Sequence, residues 1–342
     1  MLLKSILLGG LGLLAASGTA FAADFSSALS PCAYRTTNKA TLNASGLTLL
    51  QIRQDDSDVQ VKGVAGLTQI NVVSEVCASS PHLLKSVKLV TSRNGATATL
   101  ATQTDTHVYY SFPSFALERY AYMEIQVQVP ASLAVKMNSQ SGDISAENLA
   151  TLTVQSESGD VSAQNLGALT VQSESGDVSA QNLGTLTVQS DSGDISAKQI
   201  HGLFTASANS GDIKAKDIGS VNLRNIESGD VGLSGILGNV TVNALSFGDL
   251  SAQNVQGSIT INSMGSGDLQ LLNIQHNVDV NTMGSGDVNI SQIGGNVTLD
   301  NIGSGDVLAN DIGGNFTVKN AGDSDIHESN VKGTVSVPQS DD

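Results

Sequence analysis

An all-β fold is predicted: a parallel β-solenoid of about eleven coils of 17–19 residues, preceded by an N-terminal β-rich capping domain. Three observations predict it. A Gly-Asp corner recurs along the last 200 or so residues, with its Asp at Asp143, Asp160, Asp177, Asp194, Asp212, Asp230, Asp249, Asp268, Asp287 and Asp306 and a divergent copy at Asp325. The spacings are 17 three times, 18 twice and 19 five times, which suits one β-helical coil and is too short for a propeller blade or a helical repeat. The residue after every one of these Asp is Ile, Val or Leu.

The elements follow in chain order. Met1 to Ala22 has a basic Lys4, an apolar stretch from Ile6 to Ala16 and an Ala20-Phe21-Ala22 cleavage pattern, so it is expected to be a secretory signal peptide. The apolar stretch is too short to span a bilayer, and no Cys follows the cleavage site to carry a lipid anchor. Residues 23–137 form the expected cap. Val59–Lys62, Ser86–Val90 and Met123–Val129 alternate apolar and polar residues as half-buried strands do, and Asn94-Gly95 marks a hairpin. Tyr109, Tyr110, Phe112, Phe115, Tyr120 and Tyr122 are the one aromatic concentration, expected to pack against the first coil, with a binding patch as the alternative. Cys32 and Cys77 are the only cysteines, and an even count in an exported chain favours one disulfide over a metal site.

Residues 138–337 form the solenoid, and 338–342 a polar tail. Six places after each corner Asp comes another aliphatic column, from Leu149, Leu166 and Leu183 to Ile312 and Val331. The other half of each coil adds pairs such as Val240/Val242 and Val297/Leu299, with Ser, Thr, Gln, Asn or Lys between them. Alternation of this kind points aliphatics inward and polar groups outward from a narrow coil. Residues 286–294 and 295–304 have the same pattern, so each coil consists of two similar arms. A flattened, two-sheet coil is expected, right-handed by the general preference for parallel crossovers. At the usual strand spacing the stack is roughly 50 Å long. Five places after Asp runs a column of Asn, Gln and Asp, expected to form an amide ladder that Gly235 interrupts.

Tyr122 to Pro130, followed by Ser141-Gly142-Asp143-Ile144 and its iterations, resembles the bacterial “putative adhesin” β-strand-repeat family, related to autotransporter-adhesin-like head domains. The resemblance runs from about Thr41 to Val337. It implies a β-solenoid with an adhesive function, and it brings no catalytic residues to carry over.

Charge divides the chain. Residues 23–137 hold nine Lys and Arg against eight Asp and Glu, whereas residues 138–342 hold six against twenty-four. So acidic a surface repels nucleic acid and anionic lipid and suits either cations and basic polymers or simply the solubility of a long repeat surface. The corner column is first a set of turn caps, at Asp143, Asp160, Asp177, Asp194, Asp212 and Asp230 above all, because Asp and Asn oxygens both cap turns. No cofactor is expected; the weaker second reading is a cation column at Asp249, Asp268, Asp287 and Asp306 that takes calcium. The Gly-Gly-x-Gly-x-Asp spacing of calcium-binding nonapeptide repeats is not met there. Uniform Asp in this column sets neighbouring charges about 4.8 Å apart, a repulsion of roughly 0.9 kcal/mol in water-like dielectric, so salt or divalent ions are expected to raise the melting temperature.

No enzyme is expected. His82, His107, His201, His276 and His327 are scattered without a repeated acid or base partner, and Arg224 is the one arginine of the solenoid. An outward threonine column, including Thr153, Thr170, Thr187, Thr241, Thr260, Thr298 and Thr317, fits strand propensity as well as binding of ice or a crystalline polymer. The expected function is a non-enzymatic, exported solenoid, periplasmic or at the cell surface, that binds a protein or glycan of the envelope, with adhesion as its use. The alternatives are a structural or assembly role in the periplasm and, more remotely, a polysaccharide-active enzyme.

Overall fold

Val161, Val178 and Ile195 are register partners on successive parallel strands, and each is 1 % exposed. Such aliphatic stacking repeats rung after rung. The inward positions one, three and six places after each corner Asp from Asp143 to Asp306 form, with few exceptions, one continuous core with those of the opposite arm, from Leu50 to Val318. Each buried aliphatic stabilises the fold by about 1.5–3 kcal/mol, so every rung holds its neighbours in register. The protein is represented by a computed structural model that describes residues 32–104 and 120–338. The expected signal peptide, the cleavage site and Tyr109, Tyr110, Phe112 and Phe115 lie outside the described residues.

The N-terminal half contains β1 (Tyr34–Asn43), β2 (Leu49–Val64), β3 (Gln69–Ala78), the short α1 (Pro81–Leu84), β4 (Val87–Asn94), β5 (Thr97–Thr104) and β6 (Ala121–Pro130). It continues into β7 (Ala134–Ser141) and β8 (Ile144–Glu147). Parallel stacking reaches back well before the first Ser-Gly-Asp. β2 alone supplies both arms of a coil: its first half pairs with β7 and its second half with β8. On the other side of β2 lie β5 and β6, also parallel, so that β2 is sandwiched between two coils made later in the chain. Antiparallel strands cover this end. β3 pairs with β6 and β1 with β3, while β4 pairs with β5 through a hairpin turning at Gly95 and Ala96. Antiparallel pairing ends the parallel ladder at this end: β3 and then β1 extend the sheet from β6, and the β4–β5 hairpin is the local closure beside them.

The growth from 17 to 19 residues has a local cause. In the early coils the second arm ends on an inward serine, and Ser139, Ser156, Ser173 and Ser190 are nearly buried. Each hydroxyl donates to the carbonyl two residues on, at 2.8–3.0 Å. That bond satisfies the hydroxyl while the chain closes its corner in few residues. Later coils place Ile226, Leu245, Met264, Met283 and Ile302 there, all buried. The intervening 18-residue coils each gain one residue, at different corners: one between Ile200 and Phe204, the other between Leu223 and Ile226. Coils from Val231 onward carry both.

At the C-terminal end the last coil comprises Ile326–Val331 and Val335–Ser336. Its inward third position pairs with the buried Ala309 but holds Glu328, which is exposed. An inward carboxylate on an edge strand opposes further pairing, and Pro338 follows as a second block.

Candidate functional site

The Ser-Gly-Asp corners lie one above another, and each component has a physical task. At Gly176 φ is +107°, and a Cβ there would lie 2.3 Å from the carbonyl oxygen of Gly159 in the coil before. Only glycine tolerates both conditions. The Asp that follows forms a relay. The N–H of Asp160 donates to Oδ1 of Asp143 at 2.9 Å, that of Asp177 to Asp160 at 2.8 Å, and the pattern continues through Asp194, Asp212 and Asp230. It extends onward through Asp249, Asp268, Asp287 and Asp306 at 2.8–2.9 Å. Below the first repeat, Asp143 donates its N–H to Asp58 in β2. The relay stops at Asp306, where the next corner has Ser324 in the glycine place. Charge assistance strengthens each bond, and repulsion between neighbouring carboxylates opposes that gain.

The opposite corner performs the same task without charge. Ser258 donates its N–H to Asn239 Oδ1 at 3.0 Å, Asn296 to Asn277 at 2.9 Å, Asn315 to Asn296 at 2.8 Å and Thr334 to Asn315 at 2.9 Å. Distances match those of the Asp relay, so the geometry requires an acceptor oxygen and not a carboxylate. The column five places after Asp has a different common factor from the one its amides suggest. Asn148, Asn165, Asn182, Gln199, Asp217, Asn254, Asn273, Gln292, Asp311 and Asn330 all have φ between +53° and +59°, and Gly235 has +68°. Gly235 therefore continues the column, whose requirement is the left-handed backbone that Asn, Asp and Gly adopt most readily. Amide bonds from rung to rung, as between Asn182 and Asn165 at 2.7 Å, are an addition to it.

The acidic file continues into the cap. Asp58 is in register with Glu124 of β6, and Glu124 with Glu75 of β3. Glu75 is 6 % exposed and takes an ion pair from Arg35 at 2.5 Å. Burial, with Asp58 and Glu75 beside it, raises the Glu124 pKa above the ordinary 4.5, and Arg35 opposes the rise. Burial and Glu124 likewise push the Tyr122 phenol up. A raised carboxyl pKa means that the folded state holds this proton more tightly, so stability is lost as pH rises from 4.5 through the folded value. Glu124→Gln is expected to raise the melting temperature at pH 7 by on the order of 1–2 °C and to leave it unchanged at pH 4, read by thermal melting at both pH values.

The remaining candidates are dispersed. His201 Nε2 lies 3.0 Å from Asn182 Oδ1, whereas His82, His276 and His327 lie far apart in the chain on α1 or exposed rungs, and His107 is outside the described residues. Thr153, Thr170 and Thr187 are register partners, as are Thr298 and Thr317. Among the described residues no group of three or more His, Cys, Asp or Glu side chains is arranged to hold a metal ion. Cys32 and Cys77 are both disulfide-bonded and, being the only two, form one bridge. A cleft of about 670 Å³ lies where the loops after β1, β2 and β6 converge and includes Leu47, Leu67, Pro130 and Leu133. No described helix is long and apolar enough to cross a membrane.

Comparison with curated proteins finds no match. Among solved structures, a “putative adhesin” from Bacteroides fragilis is 18 % identical, with a TM-score of 0.42 over 73 % of this chain and 98 % of that one. A “putative cell adhesion protein” from Clostridium sporogenes is 10 % identical over 70 % and 99 %, with a TM-score of 0.26. A “putative lipid binding protein” from Parabacteroides distasonis is 13 % identical over 90 % and 98 %, also with a TM-score of 0.26. The Toastrack DUF4097 family model matches residues 47–235 and, overlapping them, 162–263. That match begins at the first residues of the β2 coil and covers more than half of the sequence, and the chain belongs to the Toastrack DUF4097 family.

Proposed function

We propose that the protein is a non-enzymatic binding rod outside the cytoplasm, which engages an envelope or cell-surface ligand through ordered polar ladders, with adhesion as its use. The observation that carries this reading is the fixed array of hydrogen-bonding groups on the second-arm face. Asn138 Nδ2 donates to Gln155 Oε1 at 2.7 Å, and Gln155 Nε2 donates to Gln172 Oε1 at 3.0 Å. Glu157, Glu174 and Asp191 border the same shallow groove of about 310 Å³. Side chains already held by their neighbours lose little entropy on binding, and solenoids commonly use extended faces of this kind. A disulfide forms and persists in oxidising compartments, which supports the exported location.

Protease treatment of intact cells, combined with fractionation, tests the location, and a glycan array with the purified full chain tests binding. Cleavage on intact cells and retention by one class of surface glycan are the expected results. Complete protection inside the periplasm together with no retention would overturn the reading and leave a structural role there.

A further inference from the structure

Gly232 differs from every other described glycine. A Cβ added to it meets nothing within 4 Å, and its φ is not left-handed. Gly66 and Gly95 also meet nothing, but both have positive φ in turns. Neither backbone conformation nor close packing therefore requires glycine at 232. A strand pays for such a residue in stability, and an unforced strand glycine often marks the close approach of a ligand.

The surroundings indicate what approaches. Gly232 is in register with Lys214 on one neighbouring strand and with Ser251 on the other. Ser234, two residues along the same face, is in register with Lys216 and Gln253. One rung further, Lys198 pairs with Lys216. These side chains line a shallow groove of about 310 Å³ with Gly232 in its wall. Lys214 has Asp212 at 3.4 Å, whereas Lys198 and Lys216 form no ion pair among the described residues, and Asp217 follows at the corner beyond Lys216. Lys198 to Gln253 covers three strand spacings, roughly 14 Å. Only six Lys and Arg occur from residue 138 onward, and three of them converge on this one face.

We propose that this groove is a subsite for an acidic polysaccharide: Lys198, Lys214 and Lys216 hold an anionic substituent, the gap at Gly232 admits the sugar ring, and Ser234, Ser251 and Gln253 meet its hydroxyls. The inference rests on the binding function proposed above and specifies its ligand class. The acidic surface around the patch disfavours a flat anionic membrane, since many repulsive contacts would form at once. A single chain bearing spaced charges reaches the lysines without that cost.

The test measures affinity of the full chain for polygalacturonate and for dextran sulfate, with neutral dextran and phosphatidylglycerol vesicles alongside. Four proteins are compared: wild type, Lys198→Ala/Lys214→Ala/Lys216→Ala, Gly232→Thr, and the charge-matched control Arg224→Ala/Lys319→Ala/Lys332→Ala. At least one acidic polymer is expected to bind wild type, with affinity about ten-fold lower for the lysine triple and for Gly232→Thr and within about two-fold for the control. Gly232→Thr should melt no lower than wild type, because threonine favours strands, so its loss of binding is not a loss of folding. No binding of either acidic polymer, an equal loss in the control, or binding of vesicles alone overturns the proposal. If wild type and all variants retain the same array glycan equally, this subsite fails while the binding function stands.

Discussion

Gly176→Ala is expected to destabilise the protein by about 4 kcal/mol, an unusually large effect for one added methyl group. Two penalties act together. With φ at +107°, alanine stands in a region that L-residues rarely occupy, which costs of order 1–3 kcal/mol. Its Cβ would also meet the Gly159 carbonyl, oxygen at 2.3 Å and carbon at 2.7 Å, and backbone atoms inside a stack cannot swing aside. Relief requires the rungs to part, which stretches the Asp177-to-Asp160 bond beside the clash. The last corner illustrates the consequence: Ser324 replaces glycine there, and the relay stops at Asp306. Denaturant titration of the variant is the measurement. Gly232→Ala is the matched control, since its new Cβ has open space, and it should unfold at or above the wild-type midpoint.

Loss of the disulfide is expected to cost a similar amount, about 4 kcal/mol in the chain-entropy model, because the bridge closes a loop of 46 residues. Cys77 is 2 % exposed in β3, which lies between β1 and β6. β3 and β1 have only antiparallel partners, and β1 is the edge strand beyond β3, so the loss should appear first in the cap. Melting with and without reductant should show the midpoint fall, with an early transition in which β1 and β3 separate before the coils from β7 onward. Cys32→Ser/Cys77→Ser should reproduce the reduced curve without reductant.

The repeated coils were legible in the sequence because repetition turns local alternation into columns. Ile144, Val161, Val178 and their successors are aliphatic in every copy, and in every described coil but the last they are buried. The β2 coil was not legible as one. Its corner, Asp55-Asp56-Ser57-Asp58, has no glycine, and its partners on either side come from β5 to β8, much later in the chain. Pairing across such a distance leaves no periodic trace. The column from Asn148 to Asn330 offered a signal that was open to another interpretation: a mixture of Asn, Asp, Gln and Gly points to left-handed backbone before it points to amide ladders. The acidic row of Asp58, Glu124 and Glu75 depends on strand register, which the spacing of those residues does not encode. In contrast, Lys198 and Lys216 are 18 apart, one repeat, and their juxtaposition was available from the columns alone.

At the corner, folding is expected to need the Asp oxygen and not its charge. Asn239, Asn277, Asn296 and Asn315 cap the opposite corner at 2.8–3.0 Å with neutral amides. Stacked carboxylates meanwhile repel by roughly 0.9 kcal/mol per neighbouring pair before screening. The column nevertheless has Asp at every corner from Asp143 to Asp325, where a neutral amide serves on the opposite side. The direct measurement is the melting temperature of Asp249→Asn/Asp268→Asn/Asp287→Asn against wild type, at low and at high monovalent salt. The variant is expected to melt at or above wild type in low salt, with a smaller salt dependence. A variant that melts several degrees lower at both salt concentrations, beside a wild type indifferent to salt, would contradict this expectation.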